Sequence, residues 1–155
     1  MISKVYFGAG CFWHVEERFR TARGVSKTRV GYMGGKLKDP TYEDVCSDET
    51  GHVEVVEVTF DNKRLPFEQL LELFWRIHNP TQLDQQGADK GTQYRSIIFY
   101  DTEDQKKKAF LSKERLEKSK KYDSPIVTEI KKATEFFEAE EYHQKYLLKK
   151  GKNTC

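Results

Sequence analysis

A cysteine stands where a strand gives way to a helix in the segment GAGCFWHVEE, residues 8–17. The run Val5–Phe7 favours a strand, and Phe12, Val15 and Phe19 fall on one face of a helix. Cys11 is therefore predicted in the first turn of that helix, where unpaired N–H groups and the helix dipole favour negative charge. We expect a lowered thiol pKa and a reactive thiolate there, although a small buried packing cysteine suits the same position.

A glutamate lies among apolar residues in the predicted strand Val53–Phe60. Alternation places Glu54 on the same face as Val56 and Val58, while Glu57 takes the opposite face. Because burial disfavours a charged carboxylate, we expect a raised pKa for Glu54. A carboxyl that stays neutral can donate a hydrogen bond or a proton. The alternative is a glutamate at the strand end that reaches solvent.

Aromatic and hydroxyl groups could complete a site around the cysteine. Phe12 lies on the apolar helix face and Trp13 lies off it, so the pair could form an apolar wall beside a nucleophile. Core packing for Phe12, and packing under a loop for Trp13, are the alternatives. Two polar, turn-rich loops, residues 36–52 and 80–94, are long enough to be functional.

These loops carry Tyr42, Asp89 and Tyr94. Tyrosine hydroxyls can orient an oxygen atom of a substrate, while a structural role is open for each of the three residues.

The other cysteines and the histidines show no metal-ligand spacing, and three cysteines are too few for a disulfide scaffold. Cys155 ends a polar tail, which favours a reactive or resolving thiol. Cys46 lies in the first long loop and is predicted to be inert or partly buried. The four histidines are interpreted as polar or packing residues: His14, His52, His78 and His143.

Length and composition limit the class of protein. The chain has 155 residues, which favours one domain, and 13% aromatic residues supply a core. A net charge of +2 gives no electrostatic reason to expect a nucleic acid or a membrane surface, and no apolar stretch is long enough to cross a bilayer. The N-terminus does not resemble a signal peptide, so we expect a cytoplasmic protein with reduced thiols.

Strands and helices alternate along the chain. The predicted strands are Val5–Phe7, Thr28–Tyr32, Val53–Phe60, Ser96–Tyr100 and Ile126–Ile130. The predicted helices cover Phe12–Phe19, the segment between Pro66 and Pro80, Thr102–Lys121 and Glu138–Leu148. This order predicts an α/β or α+β sandwich of two layers. We expect a single catalytic domain over residues 1–155, with residues 149–155 as a mobile tail.

Four segments together resemble the A-type peptide-methionine sulfoxide reductases: GCFWHVEE, GYMGG, PTYEDVCSDETGHVEVVEV and GTQYRSIIFY. The likeness extends from about Tyr6 to Cys155. It implies a two-layer sandwich with a ferredoxin-like core and long coil segments. It also implies reduction of methionine S-sulfoxide, free or in proteins, with no metal, flavin or nicotinamide cofactor. The chain departs from the family pattern at His14, where glycine is frequent.

The resemblance also assigns roles to individual residues. Cys11 matches the nucleophile, and Phe12 and Trp13 match the walls that hold the S-methyl group. Glu54 matches the acid that protonates the sulfoxide oxygen, and Tyr42 and Tyr94 match the hydroxyls that bind the same oxygen. Asp89 matches a carboxylate in the substrate pocket. Cys155, twelve positions after His143, matches the recycling cysteine. A Cys11–Cys155 disulfide reduced by thioredoxin is the implied cycle, in a chain expected to be a monomer that binds neither nucleic acid nor membrane.

Two other interpretations of the residues stay open at this point. A cysteine hydrolase would pair Cys11 with His143 or His52 and would not need Cys155. A non-catalytic binding module would have a thiol of ordinary pKa and an exposed basic or aromatic sheet face.

Overall fold

The computed structural model describes residues 2–151. Its helices are α1 (Phe12–Arg20), α2 (Tyr42–Cys46), α3 (Phe67–Arg76), α4 (Glu103–Lys118) and α5 (Tyr146–Lys150). Its strands are β1 (Ile2–Gly8), β2 (Val25–Met33), β3 (Val53–Asp61), β4 (Gln85–Gln86), β5 (Asp89–Lys90), β6 (Ile97–Tyr100), β7 (Glu129–Lys132) and β8 (Phe137–Glu138). Short 3₁₀ helices cover Thr92–Tyr94 and Glu141–His143. The fold is thus mixed α/β.

Six strands form one mixed sheet in the order β7-β6-β1-β3-β2-β8. Within it β6, β1, β3, β2 and β8 pair antiparallel, and β7 pairs parallel with β6. The helix α1 connects β1 to β2, and α3 lies between β3 and β6 along the chain. The two-residue strands β4 and β5 form a separate small hairpin. Long connections follow β2 and α3 along the chain, before β3 and β6 respectively.

The two faces of the sheet carry different apolar clusters. On one face, Val56, Val58 and Phe60 of β3 pack with the buried side chains of α1 and α3. On the other face, Val53 and Val55 join a smaller cluster, which also contains Met33, Ile97 and Phe99 and is flanked by Tyr6, Ala133 and Phe136. The alternation predicted for β3 is confirmed, because side chains two residues apart share a face.

Most predicted elements are present, with shifted ends. The strand predicted at Ile126–Ile130 lies at Glu129–Lys132, and the helix predicted to end near Lys121 ends at Lys118. The loop predicted over residues 36–52 contains α2, whose N-terminus is capped by Thr41. Among residues 2–151, no helix combines the length and apolar character needed to cross a bilayer.

The prediction of one helix over Glu138–Leu148 is wrong. Glu138 ends β8, a 3₁₀ turn follows, and α5 begins only at Tyr146. The side chain of Gln144 accepts from the Val30 N–H and donates to the Val30 carbonyl, at 2.9 and 2.8 Å. Lys145 then takes a left-handed conformation at φ +52°. These tertiary hydrogen bonds to β2 outweigh the helical periodicity of the segment.

Candidate active site

The start of α1 holds Cys11 at the N-cap position. Gly10, at φ +100°, makes the turn between β1 and α1, and a Cβ added there would come within 2.9 Å of the Gln86 side chain. The Cys11 carbonyl accepts the first helical hydrogen bond from the Val15 N–H at 3.3 Å. The residue is partly exposed. The prediction of a cysteine at the positive end of this helix is confirmed.

Glu54 reaches the same helix end from β3. It is 1% exposed, and its Oε1 accepts from the Phe12 N–H at 3.2 Å. The alternative in which Glu54 reaches solvent is therefore wrong. A buried carboxyl group thus lies at the backbone amide that immediately follows the cysteine.

Phe12 is buried in an aromatic group that lines the interior of the site. Its ring centroid lies 5.7 Å from that of Tyr32, 6.3 Å from that of Tyr42 and 5.1 Å from that of His143. The predicted apolar side chain beside Cys11 is thus present. Phe12 belongs both to the apolar core and to the candidate site, because the core cluster extends to the start of α1.

Trp13 is half-buried and is held on two sides. Its ring stacks on Tyr146 of α5 with centroids 3.8 Å apart, and its Nε1–H donates to His143 Nδ1 at 2.8 Å. His143 is fully buried, and burial lowers its pKa. A neutral imidazole that accepts at Nδ1 carries its proton on Nε2. The orientation of the indole is therefore set by the segment after β8.

The side chains of Tyr42 and Tyr94 are both half-buried. Burial, a hydrogen bond with Cys46 and the Glu54 charge raise the pKa of Tyr42. Burial and the Glu54 charge raise the pKa of Tyr94, with smaller contributions from Cys46, Asp89 and Cys11. Both hydroxyls stay protonated at neutral pH and can act as hydrogen-bond donors, and that of Tyr42 is hydrogen-bonded to Cys46.

The remaining predicted residues lie at the edge of this group or beyond the described part of the chain. Asp89 is exposed on β5, where its charge contributes to the raised pKa of Tyr94. Cys46, the last residue of α2, is exposed overall, and partial burial of its thiol raises its pKa. Cys155 lies outside the described residues 2–151.

Three residues of the site were not predicted from the sequence. Tyr32 lies directly across from Glu54 in the β2–β3 register. Glu140 accepts from the Tyr32 hydroxyl, and Tyr146 stacks on Trp13. The cross-strand register and the break in the last predicted helix were needed to find them, and neither follows from periodicity alone.

His52 and His143, which a cysteine hydrolase would pair with Cys11, form hydrogen bonds with other residues. His52 Nδ1 accepts from the Gly35 N–H at 3.0 Å, and its Nε2 lies 2.7 Å from the Leu37 carbonyl oxygen. His143 Nδ1 is bound to Trp13, as described above. Both ring nitrogens of His52 are thus engaged by the residue 35–37 segment, and the His143 ring is oriented by Trp13.

The other two histidines also fit the packing interpretation. His78 lies between the Phe74 carbonyl and the Ser96 hydroxyl. Burial and the Arg18 charge lower the pKa of His14, for which nothing in the structure indicates a role. In the described part of the chain, no group of three or more His, Cys, Asp or Glu side chains could hold a metal ion.

The arrangement is suited to chemistry at a thiol, the kind of site that cysteine-dependent enzymes use. More particularly, the chain belongs to the peptide methionine sulfoxide reductase family, whose pattern matches residues 3–155. It is therefore an oxidoreductase that acts on methionine sulfoxide.

Two curated relatives are similar over almost their whole length. The peptide methionine sulfoxide reductase MsrA of Geobacter metallireducens is 56% identical over 154 residues, covering 99% of this chain and 95% of the relative. The MsrA of Methanothermobacter thermautotrophicus is 56% identical over 152 residues, covering 98% and 90%.

Solved structures of the family share the fold. Reduced Mxr1 from Saccharomyces cerevisiae matches with a TM-score of 0.93 and 33% identity, over 99% of this chain and 88% of that one. Methionine sulfoxide reductase A of Corynebacterium diphtheriae matches with a TM-score of 0.86 and 33% identity, over 99% and 77%. Mxr1 in complex with Trx2 matches with a TM-score of 0.66 and 23% identity, over 94% and 84%, which supports the fold alone.

Proposed function

We propose that this enzyme reduces methionine S-sulfoxide, free or in proteins, with Cys11 as the nucleophile. The observation that carries the proposal is the junction at the start of α1. There the Glu54 carboxyl accepts from the N–H that follows Cys11, and the Tyr42 ring lies 6.3 Å from that of Phe12, centroid to centroid. In this proposal Cys11 is the nucleophile, Glu54 is the acid, and Tyr42 and Tyr94 are the hydroxyl donors that act at this junction.

Substrate binding divides between apolar and polar walls. In the proposed complex, Phe12 and Trp13 contact the S-methyl group. Neutral Glu54 and the two tyrosine hydroxyls donate hydrogen bonds to the sulfoxide oxygen. These donors draw electron density from sulfur and favour attack on it. The Asp89 carboxylate, exposed at the edge of the site, contacts the polar part of the substrate.

The reduction transfers one oxygen atom to the enzyme. The Cys11 thiolate attacks the sulfoxide sulfur and forms an S–S bond while Glu54 supplies a proton to the oxygen. In the collapse, the hydroxyl group passes from the substrate sulfur to the Cys11 sulfur: the substrate S–O bond and the new S–S bond break while an S–O bond forms on Cys11, which releases methionine and leaves sulfenic acid. Sulfur of the substrate is reduced by two electrons and the Cys11 sulfur is oxidised by two.

Recycling is proposed to use Cys155. Its thiol attacks the Cys11 sulfenic acid, forms a disulfide and releases water, and a thioredoxin dithiol then reduces that disulfide by exchange. The helix α5 packs on α1, and Tyr146 stacks on Trp13. Cys155 lies four positions after Gly151 in the sequence, a chain length of at most about 14 Å. Thioredoxin is proposed as the reductant because Mxr1, whose reduced form is 33% identical to this chain, has been crystallised in complex with Trx2.

The proposal also covers the fold class, the oligomeric state and the cellular compartment. The helices α1 and α3 alternate with β1, β2, β3 and β6 in a βαββαβ order, which supports a ferredoxin-like core within a two-layer sandwich. We propose one catalytic domain that acts as a monomer in the cytoplasm, where thiols are kept reduced.

The experiment is a turnover assay with dithiothreitol as the chemical reductant. The enzyme is incubated separately with the S and R epimers of methionine sulfoxide, and methionine is quantified. We expect methionine from the S epimer only, and none from the Cys11→Ser variant. Turnover retained by Cys11→Ser, or equal rates with both epimers, would contradict the proposal.

A further inference from the structure

A second carboxyl group, that of Glu140, binds to two tyrosines of the site, Tyr32 and Tyr42. Glu140 precedes the 3₁₀ turn Glu141–His143. Its Oε1 accepts from the Tyr32 hydroxyl, and its Oε2 accepts from the Tyr42 N–H, each at 3.0 Å. One carboxylate therefore connects β2 with the first residue of α2.

This connection matters because the two partners differ in how firmly they are held. Tyr32 is fully buried in the sheet and lies directly across from Glu54. Tyr42 begins a five-residue helix within a long polar connection, and its cap residue Thr41 is exposed. A helix this short is not stable by itself, so tertiary contacts must set its position.

The charge state of Glu140 suits this task. Burial raises its pKa, but hydrogen bonds from the Tyr42 amide and the Tyr32 hydroxyl contribute to a net lowering below the ordinary glutamate value. The group is therefore a carboxylate at neutral pH. Hydrogen bonds to an ionised acceptor are roughly twice as strong as those between neutral groups.

We propose that Glu140 is a positioning residue that holds the Tyr42 hydroxyl in register with Glu54 and Cys11. It touches the backbone of Tyr42 and not its hydroxyl, so it acts through the placement of α2. The inference rests on the proposed function, in which the Tyr42 hydroxyl donates to the sulfoxide oxygen. A misplacement of that donor lowers the rate of reduction more than the binding of substrate.

The test compares Glu140→Ala with the wild type, in the dithiothreitol assay with the S epimer. We expect kcat to fall about tenfold while KM changes by less than about threefold, because the lost interaction belongs to the transition state. The matched control is Glu141→Ala. This neighbouring glutamate has a side chain that is 88% exposed, so we expect wild-type kcat and KM.

A double-mutant cycle with Tyr42→Phe separates positioning from a general loss of structure. If Glu140 acts through the Tyr42 hydroxyl, Glu140→Ala should reduce kcat by less than about twofold in the Tyr42→Phe background. Glu140→Gln keeps an acceptor for one of the two donors and should recover part of the loss. That variant also carries the test if Glu140→Ala does not fold.

Two outcomes would overturn the inference alone. One is wild-type kcat in both Glu140 variants, and the other is an equal fold-loss from Glu140→Ala with and without the Tyr42 hydroxyl. A wild-type enzyme that releases no methionine would overturn the proposed function and this inference with it. The two failures are thus told apart by the wild-type rate.

Discussion

At the scale of single residues, the site depends on the contact between Glu54 and the amide that follows Cys11. That contact brings a buried carboxyl to the helix end where a thiolate is favoured by backbone N–H groups. Groups whose environments favour opposite charge states are suited to acid and nucleophile roles. The proposed chemistry therefore needs Glu54 as a proton or hydrogen-bond donor while Cys11 carries the negative charge.

Substitution of Glu54 distinguishes hydrogen bonding from proton transfer. Glu54→Ala removes both, and we expect kcat to fall by about 10²–10³-fold, the usual effect of losing such a donor. Glu54→Gln keeps a donor and should retain part of the activity. Steady-state rates with dithiothreitol measure both variants. A loss in Glu54→Gln as complete as in Glu54→Ala would assign Glu54 mainly to proton transfer, and an unchanged kcat in Glu54→Ala would contradict its role.

Much of this residue group could be predicted from the sequence. Strand alternation located Glu54, because a carboxyl on an apolar face is visible in the pattern itself. Helix periodicity located Cys11 at the helix start. Glu140 could not be found in this way, since its partners Tyr32 and Tyr42 are set by tertiary contacts between distant segments.

At the scale of elements, α2 was predicted as loop although its start carries a capping signal. Thr41 accepts from the Asp44 N–H at 3.1 Å, and Asp44 accepts from the Thr41 N–H at 2.9 Å. The usual capping box has glutamate or glutamine at this third position, so the aspartate did not reveal the helix. The helix places Tyr42 and Cys46 four residues apart, on one face.

Loss of the α2 cap should affect activity as well as stability. Thr41→Ala removes the acceptor for the Asp44 amide, and we expect a stability loss of about 1 kcal/mol and a drop in kcat of roughly fivefold. The matched control is Thr102→Ala in α4, where Thr102 caps the Gln105 N–H at 3.2 Å. We expect a similar loss of stability there, with an unchanged kcat. Urea unfolding and steady-state rates measure both effects, and equal rates in the two variants would contradict a role for α2 in the site.

Tertiary hydrogen bonds explain why the helix predicted over residues 138–148 does not form. Residues 138–148 have helical periodicity, yet their polar side chains form hydrogen bonds with other elements. Glu16 of α1 accepts from the Lys145 N–H at 2.6 Å, and Gln144 binds the β2 backbone. A buried side chain that satisfies distant backbone groups fixes the local path of the chain more strongly than propensity does.

At the scale of the whole molecule, a buried polar chain joins α3 to both strands at one sheet edge. His78 Nδ1 lies 2.6 Å from the Phe74 carbonyl oxygen, and its Nε2 lies 2.7 Å from the Ser96 hydroxyl. Ser96 in turn lies 2.7 Å from the Thr128 hydroxyl, just before β7. Burial lowers the pKa of His78 to about 4. The folded protein therefore holds this imidazole neutral.

Stability should consequently fall with acid through His78. The unfolded chain takes up the proton near pH 6.5 and the folded protein only near pH 4, so the contribution is complete above pH 6.5 and is lost as pH falls towards 4. A shift of this size corresponds to roughly 3 kcal/mol. Urea unfolding at several pH values should show a shallower acid loss in His78→Gln than in the wild type. Equal pH slopes in the two proteins would contradict this assignment.

The general architecture followed from the sequence more readily than its details. Alternating strands and helices predicted a mixed α/β fold, and the apolar faces of β3 and α3 predicted the core. The strand order and the edge strands β7 and β8 depend on long-range pairing, which local patterns do not encode. The same pairing brings residues 139–146 onto α1 and closes the site around Trp13.

The central claim is that Cys11 takes the oxygen of the substrate and that Cys155 is needed only afterwards. A single-turnover experiment with the Cys155→Ser variant tests it, using one equivalent of the S epimer without any reductant. We predict one methionine released for each enzyme molecule and one added oxygen atom on the peptide that contains Cys11, measured by mass spectrometry. No methionine, or an oxygen atom recovered on a different residue, would contradict the account.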